Sequence, residues 1–185
     1  MTTLAIISDI HGCLPSLEQT LHHAQHFSPD YYLLLGDLLN HGPRNPVPQG
    51  YAPALVADRL NSLHDRIIAV RGNCDSEVDQ MLLHFPCLAP YNFLILEGRR
   101  LCLTHGHLYT VEQLGVRQGD LILSGHTHLA GFTEAAAGVW AINPGSVTFP
   151  RNNGVASFAI YREGIFSIHG VADGALLMEH RLAQA

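Results

Sequence analysis

The chain of 185 residues contains no lysine; its ten non-histidine cations are all arginine, against sixteen Asp and Glu, for a formal net charge of −6. That balance argues against a nucleic-acid-binding surface, which needs a basic patch to displace counterions from the phosphates. It leaves a phosphate-bearing small substrate open, because bound divalent ions would dominate the local field. Long apolar runs are also missing. None approaches the ~20 residues that span a bilayer. Asp9 and His11 break the first apolar stretch before the core of a signal peptide can form. No membrane partner is expected, and the cytoplasm is the expected compartment. The four cysteines, Cys13, Cys74, Cys87 and Cys102, show no C-x-x-C spacing and read as reduced thiols. Repeats, low-complexity segments and linkers are absent too. With 47% apolar residues the chain can bury a core, so one domain over residues 1–185 is expected.

What the chain has in abundance is short apolar runs tipped with polar ligands. Tyr31 to Leu35 ends in Gly36-Asp37, and Leu4 to Ser8 ends in Asp9-Ile10-His11. Ile67 to Val70 is followed by Arg71-Gly72-Asn73, Leu101 to Thr104 by His105-Gly106-His107, and Leu121 to Ser124 by Gly125-His126-Thr127-His128. A continuous apolar run bounded by turn signals reads as a strand buried on both faces. Open α/β sheets place their ligands at the carboxyl ends of such strands. Five strand ends carrying Asp, Asn or His and converging on one rim point to a metal site, with Asp37 able to lie between two ions. Most of the thirteen histidines fall outside this pattern. His22, His23 and His26 fall on one helix facing solvent, and His64, His84, His169 and His180 are isolated and structural.

Between the strands, Pro15 opens a helix to Phe27 with Leu14, Leu17, Leu21 and Ala24 on one face, and Pro53 opens a second with Leu55, Val56, Leu60 and Leu63. This βαβ pattern implies parallel pairing with right-handed crossovers. Residues 40–52 form a long Pro- and Gly-rich loop directly after Asp37, a position that favours function. Ser76 and Asp79 predict a capped short helix to His84, and Thr110 to Val116 a further one. Hairpins are expected at 92–104, 132–143 and 155–170, with a last strand at 175–181. The expected architecture is two packed sheets flanked by helices.

The elements Asp9-x-His11, Gly36-Asp37-x-x-Asn40, Gly72-Asn73-Cys74-Asp75, His105-Gly106-His107 and Gly125-His126-x-His128, in that order and with Asn143-Pro144-Gly145-Ser146 after them, resemble the calcineurin-like metallophosphoesterase superfamily. The likeness runs the whole length and is strongest to its small bacterial phosphodiesterases of the YfcE type. The resemblance implies an α/β, four-layer αββα sandwich with two mixed sheets. It assigns one metal to Asp9, His11, Asp37 and His128, and a second to Asp37, Asn73, His105 and His126, with Asp37 bridging. Two divalent ions are implied, Mn²⁺ as the working metal and Zn²⁺ as a possible metal on purification. The implied activity is hydrolysis of a small phosphodiester by a metal-bridging hydroxide. A phosphomonoesterase and a non-catalytic interaction scaffold are the alternatives. A homo-oligomer, dimer or tetramer, is expected.

Around the ligands, Asn40, His41 and Arg44 are the expected substrate contacts, with a turn role the alternative for Asn40. Arg71 and Arg151 are the other cations near the rim, with surface ion pairs the alternative for all three arginines. His107 reads as a support for the ligands or as core packing, and Asp75 as a helix cap. Many superfamily members carry His after the Asn of the third motif, where Cys74 stands here. A neutral thiol is a weaker proton donor, which leaves His41 and metal-bound water as candidate acids for the leaving group.

Overall fold

The computed structural model describes residues 2–182. Its first three strands are Leu4–Ile7 (β1), Tyr31–Leu34 (β2) and Ile67–Ala69 (β3), paired in parallel. Ser157–Arg162 (β9), Ile165–Gly170 (β10) and Leu176–Arg181 (β11) extend the same sheet antiparallel from the other side of β1, in the order β11-β10-β9-β1-β2-β3. A second mixed sheet holds Tyr91–Leu96 (β4), Arg99–Thr104 (β5), Leu121–Leu123 (β6), Gly131–Ala136 (β7) and Val139–Asn143 (β8). Its order is β4-β5-β6-β8-β7, with β5, β6 and β8 parallel.

Side chains alternate across each strand, so each run feeds two cores. Leu4, Ile6, Leu33 and Leu35 meet Leu101, Leu103, Leu121 and Leu123 between the sheets. Ala5, Ile7 and Leu34 turn the other way, onto helices Leu14–Ala24 (α1) and Pro53–Asn61 (α2). Cover on both faces is why these strands read as unbroken apolar runs rather than alternating ones. Proline at the first turn starts α1 and α2 without loss of a needed N–H. Of the apolar residues expected on α2, Val56 and Leu60 are buried, whereas Leu55 faces solvent. The short helix Glu77–Leu82 (α3) has its capping box, Ser76 N–H donating to Asp79 Oδ2 at 2.6 Å.

The outermost layer differs from expectation. The outer face of the second sheet is covered by residues 109–116, but they form turns, not the helix expected from Thr110 to Val116. Thr110 and Gln113 do make the reciprocal bonds of a helix start, at 2.9 and 3.4 Å. Gly115, at φ 60°, then ends the coil after one turn. Leu114 still plugs the face, packed on Cys102, Ile122 and Val139, with Val111 and Val116 alongside. All four cysteines are free, and no helix among the described residues is long and apolar enough to cross a membrane.

Candidate metal centre

The two parallel triplets, β1-β2-β3 and β5-β6-β8, deliver their carboxyl ends to one rim. Asp9 follows β1, Asp37 follows β2, Asn73 follows β3, His105 follows β5, and His126 and His128 follow β6. The side chains that meet there come from both sheets. His128 Nε2 lies 3.1 Å and His11 Nε2 3.7 Å from Asp9 Oδ1. Asp37 Oδ2 stands 3.7 Å from His11 Nε2 and 3.5 Å from His105 Nε2, and Asn73 Oδ1 is 3.2 Å from His105 Nε2. Asp9, His11, His105, Asp37 and His128 are all buried.

Backbone geometry at these positions is unusual. Asp9, His11, Asp37, His126 and His128 all have positive φ, between 51° and 65°. Non-glycine residues rarely adopt that region, and clusters of them mark sites where the fold imposes a conformation for function. Two glycines make room. A Cβ on Gly72 would stand 2.1 Å from Asp37 Oδ1, and one on Gly125 would stand 1.9 Å from Ser8 Oγ.

Hydrogen bonds then fix which atoms face inward. His11 Nδ1 is 2.9 Å from Asn40 O, His105 Nδ1 2.7 Å from Leu35 O, and His128 Nδ1 2.6 Å from Phe149 O. A carbonyl only accepts, so each Nδ1 carries a proton and each Nε2 is the nitrogen turned to the nest, where it can ligate a metal once its own proton is displaced. Ser8 Oγ donates to Asp9 Oδ2 at 2.6 Å, as does His126 N–H at 3.2 Å, which leaves Asp9 Oδ1 buried and without a hydrogen-bond partner. His11 Nε2 and His128 Nε2 face each other at 3.4 Å. Lone pairs gathered this closely repel unless a cation lies among them, and carboxylate, imidazole and amide oxygen are donors that suit Mn²⁺ or Zn²⁺. The residues fit the divalent metal that the fold implies.

The proton equilibria point the same way. Burial opposes a charge on His105, but the bond to Asp37 and the charges of Asp9 and Asp37 outweigh it and raise the ring to about 9. Burial alone would raise Asp37, yet the His105 bond and the Cys74 N–H hold its carboxyl well below the usual range. Burial is likewise overcome at His128 by the Asp9 carboxylate, whose Oδ1 lies 3.1 Å from Nε2, and its pKa rises. Burial prevails at His11 and His126, whose pKa values fall, so positive charge gathers on His105 and His128 beside the carboxylates, a place a metal takes by displacing protons.

Against the expected ligand set, Asp9, His11 and His128 bring their donor atoms together, and so do Asp9, Asp37 and His105. His11 and Asp37 meet again in a third group with Cys74, so Asp9, His11 and Asp37 each belong to two of the three. His126 belongs to none of these groups; its ring lies 5.1 Å from that of His105, centroid to centroid, and it lines the cleft. His107 packs its ring 5.2 Å from that of His105 and keeps a buried, unpartnered Nδ1. Cys74 sits closer to the centre than its role as a departure from pattern implied, its sulfur grouped with His11 and Asp37. Burial and the charge of Asp37 push that thiol up to about 12, so it stays protonated.

The loop residues divide. Arg44 and Arg151 line a cleft of about 280 Å³ over the nest, together with Asn45, Asn73, Cys74 and Thr127. Asn40 instead accepts Gly42 N–H at 2.8 Å in a turn, and His41 sets its ring against Tyr51; neither lines the cleft. Arg71 bonds Asp75 O and reaches Glu77. Asp75 is not a helix cap. Its carboxylate accepts the N–H groups of Asp37, Leu38 and Gly72, at 2.8, 2.8 and 2.7 Å, and so clamps the loop that bears Asp37. Ser146, whose Oγ donates to Asp9 O at 2.9 Å, gives the loop after β8 a similar positioning role.

Buried carboxylates and imidazoles at the strand ends of a two-sheet sandwich, under an open polar cleft, define a metal-dependent hydrolytic enzyme. The chain belongs to the calcineurin-like phosphoesterase superfamily, whose domain matches residues 2–163, and is a metal-dependent phosphoesterase. It is 46% identical over 180 residues to phosphodiesterase YfcE of Escherichia coli K12, covering 97% of each chain. It is 31% identical over 166 residues to the probable metallophosphoesterase YsnB of Bacillus subtilis, covering 84% of this chain and 80% of that one. The solved structure of the E. coli YfcE phosphoesterase superposes with a TM-score of 0.93 at 44% identity, covering 98% of this chain and all of the other.

Proposed function

We propose that this chain is a phosphodiesterase that hydrolyses a small phosphodiester and holds two divalent ions, Mn²⁺ in the working enzyme, between Asp9, His11, Asp37, Asn73, His105, His126 and His128. The observation that carries the reading is the orphaned, buried Asp9 Oδ1 facing imidazole nitrogens whose partner nitrogens are committed to backbone carbonyls. Such ions, when bound, supply Lewis acidity toward a phosphoryl oxygen and a nucleophile at neutral pH.

The chain's own groups do the rest. The backbone N–H of Cys74 donates to Asp37 Oδ1 at 2.7 Å, which turns Oδ2 toward His11 and His105. The Cys74 thiol retains its proton at neutral pH and accepts a bond from Asn73 Nδ2 at 3.1 Å. Arg44 stands in the cleft wall, on the path a substrate takes to the centre. A cytoplasmic setting suits the four unpaired thiols. A homo-oligomer, dimer or tetramer, is part of the same reading, supported by Val78 and Met81 of α3, which are 65% and 84% exposed.

The test is Asp37→Asn. Replacing the carboxylate with an amide removes charge from among the cations, so metal content and hydrolysis of bis(p-nitrophenyl) phosphate fall together while the circular-dichroism spectrum is kept. Full metal content with normal turnover would overturn the assignment. Stripped protein reconstituted ion by ion gives its highest rate with Mn²⁺, although Zn²⁺ binds more tightly by the Irving–Williams order.

A further inference from the structure

Four arginines outside the cleft pair with carboxylates: Arg59 with Glu18, Arg71 with Glu77, Arg100 with Asp120 and Arg162 with Glu163. The two that line the cleft do not. Among the described residues Arg44 has no ion-pair partner, and the Arg151 guanidinium donates only to the neutral amide oxygen of Asn45, at 2.9 Å. Asp37 is the single carboxylate in the cleft wall, and it is committed to His11, His105 and the Cys74 N–H. Arg44 and Arg151 also lie within electrostatic reach of His126 and His128, which sets them beside the metal centre rather than out on the surface.

A third donor stands with them. Thr127 Oγ1 accepts from Asn143 Nδ2 at 3.0 Å and from Leu129 N–H at 3.3 Å, so its own hydroxyl proton is free to donate into the cleft. The cleft thus offers two uncompensated guanidinium forks and a hydroxyl, in a chain that is otherwise net acidic. Guanidinium forks match phosphate oxygens in pairs and favour anions carrying more than one charge. The reacting phosphodiester carries a single negative charge, which the metal centre already meets.

We propose that Arg44, Arg151 and Thr127 form a subsite for a second phosphate, so that the substrate is a phosphodiester one arm of which ends in its own phosphate group. The inference rests on the phosphodiesterase reading above. At about 280 Å³ the cleft has room for two phosphates and a short organic spacer.

Two matched pairs of compounds test it on the Mn²⁺-loaded protein. Ethyl p-nitrophenyl phosphate and its 2-phosphooxyethyl analogue share a leaving group and differ only in the second phosphate. The wild type prefers the 2-phosphooxyethyl compound by about tenfold or more in kcat/KM, carried by KM, as charge-assisted bonds of ordinary strength require. Arg44→Ala and Arg151→Ala each cut that preference about tenfold, and Arg44→Lys restores part of it because charge returns without the fork. Equal use of both esters by the wild type, or an equal loss on both in the variants, overturns the subsite. Calorimetry with diethyl phosphate and its 2-phosphooxyethyl counterpart reads the same preference as binding. If neither ester is cleaved, the phosphodiesterase reading fails, while the calorimetric preference still decides the subsite.

Discussion

Replacing Gly72 by alanine places one methyl group against the residue on which the metal centre depends. The new Cβ would stand 2.1 Å from Asp37 Oδ1, 2.3 Å from Asp37 N and 2.8 Å from Asp37 Cγ, where ordinary contact begins at 3.4 Å. A rotation of the side chain relieves the first clash but not the second, because backbone cannot swing away. The strand ends bearing Gly72 and Asp37 must therefore part by about 1 Å. Both are bonded to Asp75 Oδ2, at 2.7 and 2.8 Å, so the separation stretches that clamp as well. A misplacement of ~1 Å in a catalytic constellation costs about 10²-fold in rate. Overpacking a tight site costs about 1–3 kcal/mol, or roughly 3–10 °C in Tm for a chain of this size. The assay is kcat/KM on bis(p-nitrophenyl) phosphate with Mn²⁺, alongside metal content by mass spectrometry and a thermal melt. Gly131→Ala is the control, since a Cβ there meets nothing within 4 Å. A Gly72→Ala protein within about threefold of wild-type kcat/KM, at unchanged Tm, would refute the placement of Asp37 and the clamp together.

Cys74 gives a kinetic expectation: a thiol held near 12 is a poor proton donor, so the rate depends steeply on leaving-group pKa, and nitrophenyl esters far outrun alkyl esters. A linear free-energy series of aryl and alkyl diesters reads this, and a shallow slope assigns the leaving-group proton to another group. Tyr161 gives a pH expectation. Burial and its 2.7 Å bond to Glu97 raise the phenol to about 12, above the ordinary value of about 10. A raised folded-state pKa contributes stability that is complete below pH ~10 and is lost as the pH rises through 12. With no lysine to titrate in that window, Tyr161→Phe should flatten the fall of Tm between pH 10 and 12, and an unchanged slope counts against the bond.

The strands and their polar tips were legible in the sequence because parallel strands covered on both faces write themselves as apolar runs, and the residue after such a run falls on the rim. Asp37, His105 and His128 could be found that way. The role of Asp75 could not. Its partners Asp37 and Leu38 lie 38 and 37 residues away, and the nearby Ser76 and Asp79, which do cap α3, drew Asp75 into the same local reading. Residues 110–116 carry apolar residues at helical spacing and a valid start signal, but one glycine in the left-handed region outweighs both. Asn40 takes the turn role that its sequence also allowed, accepting the Gly42 N–H, and the cleft is lined by the residues that follow, Gly42 to Asn45. Thr127 gave no signal between its two histidines, since its exposure depends on a backbone that kinks at both neighbours.

The side chains that gather at the nest are divided between the two sheets, Asp9, His11 and Asp37 following strands of one and His105 and His128 following strands of the other. A bound ion is consequently a rivet through two plates that are otherwise joined by the apolar seam of Leu33, Leu35, Leu103 and Leu123. Sliding one plate by a fraction of a strand spacing would leave every helix and hydrogen-bond ladder intact and still pull the donors out of reach of a common centre. Catalytic output is then a sensitive gauge of how the plates are seated, and the leucines of the seam, with no chemistry of their own, set the tolerance to which the metal centre is machined.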